Sequence, residues 1–291
     1  MREIGTWFGL QDEREKRRLV TVLGCPFDGA ATGPGGSAAG PAEIRRWSGT
    51  EEAIDEAGRP VLDLGVRDAG DVEAGSTGVL DSIAERAGEL LDGEPSVLLG
   101  LGGDHAVTIG LAEAVGRRHP DMAFVMFDAH ADCFPDYDGD PESHACTVAR
   151  LWERGFTTPE RTALVGLRSF ARPELDLIAQ AGLMITAADW RRAEAIDVVE
   201  RIMRLVGDRP TYISIDIDVL DPAAAPGTGY PVAGGPSTGD LLEVLRGLLP
   251  TIDVVGLDLV EVSPPLDSQG VTAATAAHLL LQVFAGLAAR Q

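Results

Sequence analysis

Apolar residues along the chain gather in short runs of strand length, separated by stretches with helical spacing. Residues 19–24 (LVTVLG) form a β-branched run closed by a segment rich in Pro and Gly, which predicts a buried strand. Seven more strands are predicted over residues 61–65, 96–103, 122–127, 162–166, 183–186, 212–218 and 254–262. Helical spacing covers residues 41–47, 76–92, 106–118, 146–154, 173–181, 187–206, 237–249 and 271–289. Pro41 suits a first helical turn, and Ser237 with Asp240 makes a capping box. Strand and helix alternate throughout, and the strands read as apolar on both faces. That combination predicts a parallel sheet joined by crossover helices. No linker, repeat or low-complexity tract interrupts the pattern, so residues 1–291 read as one domain. Periodicity leaves a closed eight-unit barrel and an open doubly wound sheet both standing. Either places function at the C-terminal ends of the strands.

Four of those ends carry polar residues that core packing does not require. They are Asp104 with His105; Asp128, His130 and Asp132; Asp216, Asp218 and Asp221; and Asp258 with Glu261. The spacing of Asp128, His130 and Asp132 projects three side chains to one side as a strand runs out into a loop. Each group alone has a plain structural role open to it. Asp104 could cap the helix that follows, Asp218 and Asp221 could form turns, and Asp258 could be a satisfied buried acid. Together on one edge of a parallel sheet, so many carboxylates would repel and hold raised pKa values unless cations neutralise them. The pattern therefore predicts a two-metal site. Its donors are mostly carboxylate, with imidazole second and no thiolate, which suits Mn²⁺ better than a thiol-rich structural zinc site. Two such ions roughly 3.5–4 Å apart can make a nucleophile of water at neutral pH, and hydrolysis is the chemistry expected.

Composition removes other classes. The net charge of −22 lacks the basic face that nucleic-acid or anionic-membrane binding needs. Lys16 is the only lysine and has no Gly-rich loop beside it, which sets aside P-loop and Schiff-base chemistry. Cys25, Cys133 and Cys146 are odd in number and unpaired by spacing, as expected in a reducing cytoplasm. The N-terminal segment has charges on both sides of a short apolar stretch and does not read as a signal peptide. No apolar run is read as long enough to cross a bilayer.

The motifs GGDH (Gly102–His105), DAHAD (Asp128–Asp132), SIDIDVLDPAAAPGTGYPVAGG from Ser214 and EVSPP (Glu261–Pro265) occur in that order. With CPFDGA and GPAEIRR nearer the N-terminus, they resemble the arginase/agmatinase (ureohydrolase) family, and its agmatinase branch most. The resemblance implies a three-layer α/β/α fold with an open eight-stranded parallel sheet. It also implies two Mn²⁺ per chain and hydrolysis of a guanidino group to urea and an amine. By motif position, His105, Asp128, Asp132 and Asp216 would hold one ion. Asp128, His130, Asp216 and Asp218 would hold the other, with Asp128 and Asp216 bridging. Glu261 is similar to the carboxylate that grips the guanidinium, and His144 to the family's proton-relay histidine. Asp132 could pass a proton inward during the reaction. Family members are commonly trimers or hexamers, which implies a homo-oligomer. His119 and His278 read as surface and packed residues.

Substrate choice turns on departures from the family pattern. Arginases place an Asn two residues after DAHxD to bind a carboxylate; this chain has Phe134. The next loop carries Asp136, Asp138, Asp140 and Glu142 and no basic residue, which would repel a carboxylate and attract a terminal ammonium. Gly36 to Ala39 and Ala145 are further departures, expected to alter the pocket wall. The favoured substrate is agmatine, giving putrescine and urea. Arginine, 4-guanidinobutyrate, formimidoylglutamate or a larger guanidino metabolite are the alternatives. The acidic ones would need basic partners, for which Arg168 and Arg172 are the loop candidates.

Overall fold

The computed structural model describes residues 7–10, 16, 18–73, 78–93 and 96–290. Eight strands, β1 (Arg18–Cys25), β2 (Leu64–Asp71), β3 (Val97–Gly102), β4 (Ala123–Phe127), β5 (Thr162–Leu167), β6 (Leu183–Thr186), β7 (Pro210–Asp216) and β8 (Asp253–Val260), form one parallel sheet. Their order is β2-β1-β3-β8-β7-β4-β5-β6, so the sheet is open rather than closed into a barrel.

The helices are α1 (Gly40–Ser48), α2 (Val79–Gly93), α3 (Val107–Gly116), α4 (Thr147–Glu153), α5 (Leu175–Ile178), α6 (Ala187–Trp190), α7 (Ala195–Val206), α8 (Thr238–Leu248) and α9 (Val271–Ala289). Side chains alternate across each strand, and the core divides accordingly. Val97, Leu99, Val125, Phe127, Ile213 and Ile215 join one cluster with residues of α1, α7, α8 and α9. Leu98, Phe124, Met126, Leu164 and Tyr212 join a second cluster with α2, α3 and α4. Strands buried on both faces have no polar side to display, which is why their sequences run continuously apolar.

The connection from β3 to β4 skips two places in the sheet, and β7 and β8 later fill them. The four strands whose ends carry the acids and histidines are therefore neighbours at the centre. Such a switch in winding opens a crevice beyond the strand ends, where ligands bind in open α/β sheets.

Four expectations from the sequence need correction. The helix expected over 187–206 is two helices. Thr186 and Asp189 close a capping box on α6, then the Asp197 side chain accepts the Glu194 N–H at the start of α7, so hydrogen bonding restarts where apolar spacing runs on unbroken. The second strand lies further along than 61–65, because Val61 instead donates its N–H to Ala53. As an edge strand, β2 tolerates the polar run RDAGD that disguised it. The strand expected to reach Asp218 ends at Asp216, whose side chain accepts the N–H of Asp218 and turns the chain into a 3-10 segment. Finally, α9 has 19 residues with mean hydropathy 1.6, long and apolar enough to span a bilayer by composition alone. Here 67% of that stretch is buried, packed on α1 and α8, which accounts for its apolarity. Ser76 and Thr77, expected to begin α2, lie outside the described residues.

One ion-pair cluster ties β2 to the rest of the fold. Asp68 accepts from Arg45 Nε at 2.8 Å and Trp7 Nε1 at 2.9 Å, and Arg45 also reaches Asp71 at 2.5 Å. Burial would raise the Asp68 pKa, but the Arg45 hydrogen bond and charge outweigh it and the net shift is downward. A depressed carboxylate stabilises the fold above its unfolded value and loses that contribution as pH falls through the folded value. Asp68→Asn should therefore cost roughly 1–3 kcal/mol at pH 7, with the difference from wild type fading below about pH 4 in urea titrations. A deficit that persists in acid would show that packing, not charge, is at stake.

Candidate metal centre and active site

Register brings the acids together. Phe127 of β4 pairs with Ile215 of β7, so Asp128 and Asp216 leave the sheet side by side. His105 follows β3 and Glu261 follows β8, the strands beyond β7. Gly103 allows the approach from β1: a Cβ there would stand 1.6 Å from the carbonyl oxygen of Phe27. Two further residues are held in left-handed backbone conformations, Asp132 at φ 48° and Glu261 at φ 63°. Non-glycine residues adopt this region only where surrounding structure imposes it, and such positions concentrate at functional sites.

Two groups of ligand atoms result. His105 Nδ1 lies 3.0 Å from Asp128 Oδ2, 2.9 Å from Asp132 Oδ2 and 3.4 Å from Asp216 Oδ2. His130 Nδ1 lies 3.0 Å from Asp218 Oδ2 and 3.5 Å from Asp128 Oδ1. Asp128 thus offers one oxygen to each group, and both groups have ligand atoms close enough for one cation. His105 Nδ1 and Asp128 Oδ2 are buried without a hydrogen-bond partner, a costly state for two polar atoms that a cation would relieve.

A second layer aims His105. Ser214 Oγ donates to Asp258 Oδ1 at 2.6 Å and so accepts from His105 Nε2 at 2.9 Å, which turns Nδ1 toward the carboxylates. Tyr212 and Thr108 donate to the other oxygen of Asp258 at 2.7 and 2.8 Å. Asp258 is therefore a satisfied buried acid behind the site. Asp104 accepts from Ala106 N–H and Ala30 N–H, closing a turn ahead of α3 and anchoring the β1 loop. Asp221 accepts from Ala223 and Gly234 N–H, as a turn former.

The electrostatics report crowding. Burial, then Asp218 and Asp128, push the Asp216 carboxyl well up. Burial alone would lower the His105 and His130 pKa values, yet the carboxylates around them win. His105 rises well above its ordinary value, and His130 is pushed up to about 12. Without cations, protons do the neutralising. With cations bound, those protons leave, and metal affinity becomes pH-dependent.

The groups face one cavity of about 230 Å³, lined among others by His130, Asp132, Phe134, Tyr137, His144, Phe170, Glu174, Tyr230 and Glu261. Glu261 Oε1 accepts from His105 N–H at 2.9 Å and stands 3.2 Å from His144 Nδ1. Burial pushes the His144 pKa down, but its hydrogen bond to Glu261 and that residue's charge give a net rise. All residues singled out as catalytic or metal-holding in the sequence thus meet at one place. His119 lies away from it, and His278 pairs with Glu51 at 2.9 Å on α9.

The acidic loop expected to select the substrate behaves otherwise. Asp136 and Asp140 accept backbone N–H groups of Gly139 and Glu142, and Glu142 pairs with Arg154. None of these acids lines the cavity; Phe134 and Tyr137 do, edge to face at 5.1 Å. Arg168 gives its guanidinium to the carbonyls of Gly166, Asp218, Val219, Leu220 and Val232, so it braces the 218–220 turn. Neither Arg168 nor Arg172 lines the cavity, nor do Gly36 to Ala39, whereas Ala145 does. Sequence reasoning missed Tyr230, Thr32 and Glu174. Tyr230 stands inside the PGTGYP motif, but nothing in the local pattern reveals that its ring turns into the site.

The arginase family model matches residues 18–286. The guanidinopropionase of Pseudomonas aeruginosa is 36% identical over 277 residues, covering 92% of this chain and 86% of that protein. The agmatinase of Bacillus cereus is 34% identical over 272 residues, covering 92% and 91%. The structure of the proclavaminate amidino hydrolase from Streptomyces clavuligerus superposes with a TM-score of 0.91 at 30% identity, covering 100% of this chain and 99% of that one. Matched over nearly its whole length in sequence and in fold, this chain belongs to the arginase family.

Proposed function

We propose that this hydrolase releases urea from a guanidino compound with a cationic or uncharged tail, agmatine first among them, using two Mn²⁺ ions. The observation that carries the reading is a pair of Asp/His groups joined through Asp128, reached from one cavity lined by His130, Asp132, Asp216, Asp218 and Glu261 with no Arg or Lys among its lining residues. The donor set fits such ions: carboxylate and imidazole, with the buried Asp128 Oδ2 and His105 Nδ1 lacking other partners. His105, Asp128, Asp132 and Asp216 would hold one ion, and Asp128, His130, Asp216 and Asp218 the other. When bound, the ions supply Lewis-acid charge that makes water a competent nucleophile at neutral pH.

The remaining chemistry belongs to this chain's side chains. A guanidinium is cationic and resonance-stabilised, so its carbon must be held and its charge matched. Glu261 is suited to this: Oε1 is fixed by His105 N–H and by His144, and in the proposed role Oε2 receives a guanidinium N–H. His144 holds a proton on the ring within reach of the departing amine, and Asp132 holds the proton that the attacking water gives up. Beyond the reacting carbon, the tail would run past Phe134, Tyr137 and Phe170 towards the buried carboxylate of Glu174. Aromatic faces and a carboxylate suit an ammonium tail and offer a carboxylate tail no cation.

We further read residues 1–291 as a single ureohydrolase domain acting in the cytoplasm as a homo-oligomer, a trimer or hexamer. Three buried free thiols support the compartment.

The test is urea release by Mn²⁺-loaded protein with agmatine, arginine, 3-guanidinopropionate and 4-guanidinobutyrate side by side. Agmatine should lead the carboxylate-bearing compounds by about two orders of magnitude in kcat/KM, the scale set by leaving a buried carboxylate tail unpaired. A lead for either guanidino acid would overturn the cationic-tail reading.

A further inference from the structure

We propose that Tyr230, acting through Thr32, is a positioning residue for His144, and that Gly33 is the space that admits its ring. This rests on the hydrolytic reading above and deepens it at the same site.

The Tyr230 hydroxyl lies 2.8 Å from Thr32 Oγ1, and Thr32 Oγ1 lies 3.0 Å from His144 Nε2. The backbone N–H of Thr32 also points at Nε2, at 3.4 Å. An N–H can only donate, so Nε2 is an acceptor and the ring proton sits on Nδ1, toward Glu261 Oε1. The rest of the chain then has one polarity: the Thr32 hydroxyl donates to Nε2, and the Tyr230 hydroxyl donates to Thr32 Oγ1. The Tyr230 ring adds a wall, 5.6 Å from the His144 ring at 31° and 6.3 Å from the His130 ring at 76°. His144 is thus tethered at both nitrogens and along one face. A proton donor must stand within hydrogen-bond reach of the atom it serves, and small displacements of such a group are costly. Tyr230 is 38% exposed, so it holds this position without burial in a core.

Gly33 explains how the ring fits. A Cβ at Gly33 would stand 2.7 Å from Tyr230 Cε2 and 2.8 Å from Cζ. Carbon atoms pack at about 3.5–4.0 Å, so the two side chains exclude each other. Gly33 is not in the left-handed backbone region, so the absent side chain, not the conformation, is what the position requires. The conflict would fall on the far end of a side chain, and the ring would swing away from His144.

The experiment measures Tyr230→Phe, Thr32→Val, their combination Tyr230→Phe/Thr32→Val, Gly33→Ala, Tyr230→Ala and Gly33→Ala/Tyr230→Ala in the full chain, by steady-state urea release and by ¹⁵N NMR of the histidine side chains. The His144 signals are identified by their loss in His144→Gln. Tyr230→Phe and Thr32→Val should each lower kcat about tenfold with KM within about twofold, the scale of one lost hydrogen bond. Together they should cost no more than either alone, and both should shift the His144 Nε2 resonance. Gly33→Ala should lower kcat in the wild-type background and add nothing in Tyr230→Ala, since residues that act through one contact are non-additive. If the wild-type protein released no urea, the hydrolytic reading would fail, while the His144 resonance would still decide the positioning. An unmoved Nε2 resonance in both hydroxyl variants, or an equal cost of Gly33→Ala with and without the Tyr230 ring, overturns the proposal.

Discussion

Asp128→Asn should weaken metal binding at both groups at once and leave urea release at least about 10³-fold below wild type. The reason is geometric. Asp128 turns Oδ2 toward His105 and Oδ1 toward His130, at 3.0 and 3.5 Å from their Nδ1 atoms. An asparagine has one oxygen to offer and presents an NH₂ donor where the second lone pair was needed. Metal content per chain, measured by plasma mass spectrometry after gel filtration, should fall from two ions to one or none. A stability measurement separates this from simple unfolding. Burial, Asp218 and Asp128 all raise the Asp216 pKa, but Asp128 also leads the carboxylates that hold His105 and His130 protonated, so its charge repels on one side and pairs on the other. The metal-free variant should therefore still unfold cooperatively in urea, within about 2 kcal/mol of the metal-free wild type. Two ions per chain with wild-type turnover would sink the shared-ligand assignment.

Glu261→Gln should lower kcat/KM by about 10²–10³ while the metal content stays at the wild-type value, the scale of truncating a buried charge pair. Glutamine preserves the scaffold function of this position. Its carbonyl oxygen can still accept from His105 N–H at the 2.9 Å the glutamate keeps, so the left-handed turn at φ 63° retains its anchor. What disappears is the negative charge that matches a guanidinium. The deficit should therefore appear with every guanidino substrate, whatever its tail. Wild-type kcat/KM in the variant would remove Glu261 from its assigned role.

Much of the site was legible in the sequence because its chemistry sits where strands end. The spacing of Asp128, His130 and Asp132 is local and brings all three to the site, although the chain bends at Ala129 and His130, where the His130 N–H donates to Asp128 Oδ1, and Asp132 takes a left-handed conformation. The structural roles available to Asp221 and Asp258 were also legible, a turn former and a satisfied buried acid, whereas Asp104 closes a turn ahead of α3 and does not cap it. The acidic loop misled for an equally physical reason. Residue type says what a carboxylate could attract, but Asp136 and Asp140 spend their oxygens on neighbouring N–H groups and never face the cavity. Arg168 misled in the same way, since five backbone carbonyls absorb its guanidinium.

Taken alone, the chain of residues determined the alternation of strand and helix, the parallel sheet and the strand ends that carry the clustered acids and histidines. All three follow from short-range periodicity and from which side chains a backbone segment can bury. Tertiary structure decided that the sheet stays open, because strand order depends on which crossover lands where, and β7 and β8 fill a gap left more than 80 residues earlier. It decided that α6 and α7 are separate, because a capping box at Thr186 and the Asp197 side chain on the Glu194 N–H compete with an unbroken apolar stripe. It also decided the pocket wall, where Tyr230 reaches across to Thr32 and Gly33, about 200 residues away in sequence. Contacts of that range leave no periodic trace along the chain, since they depend on packing between segments rather than on the propensity of either one.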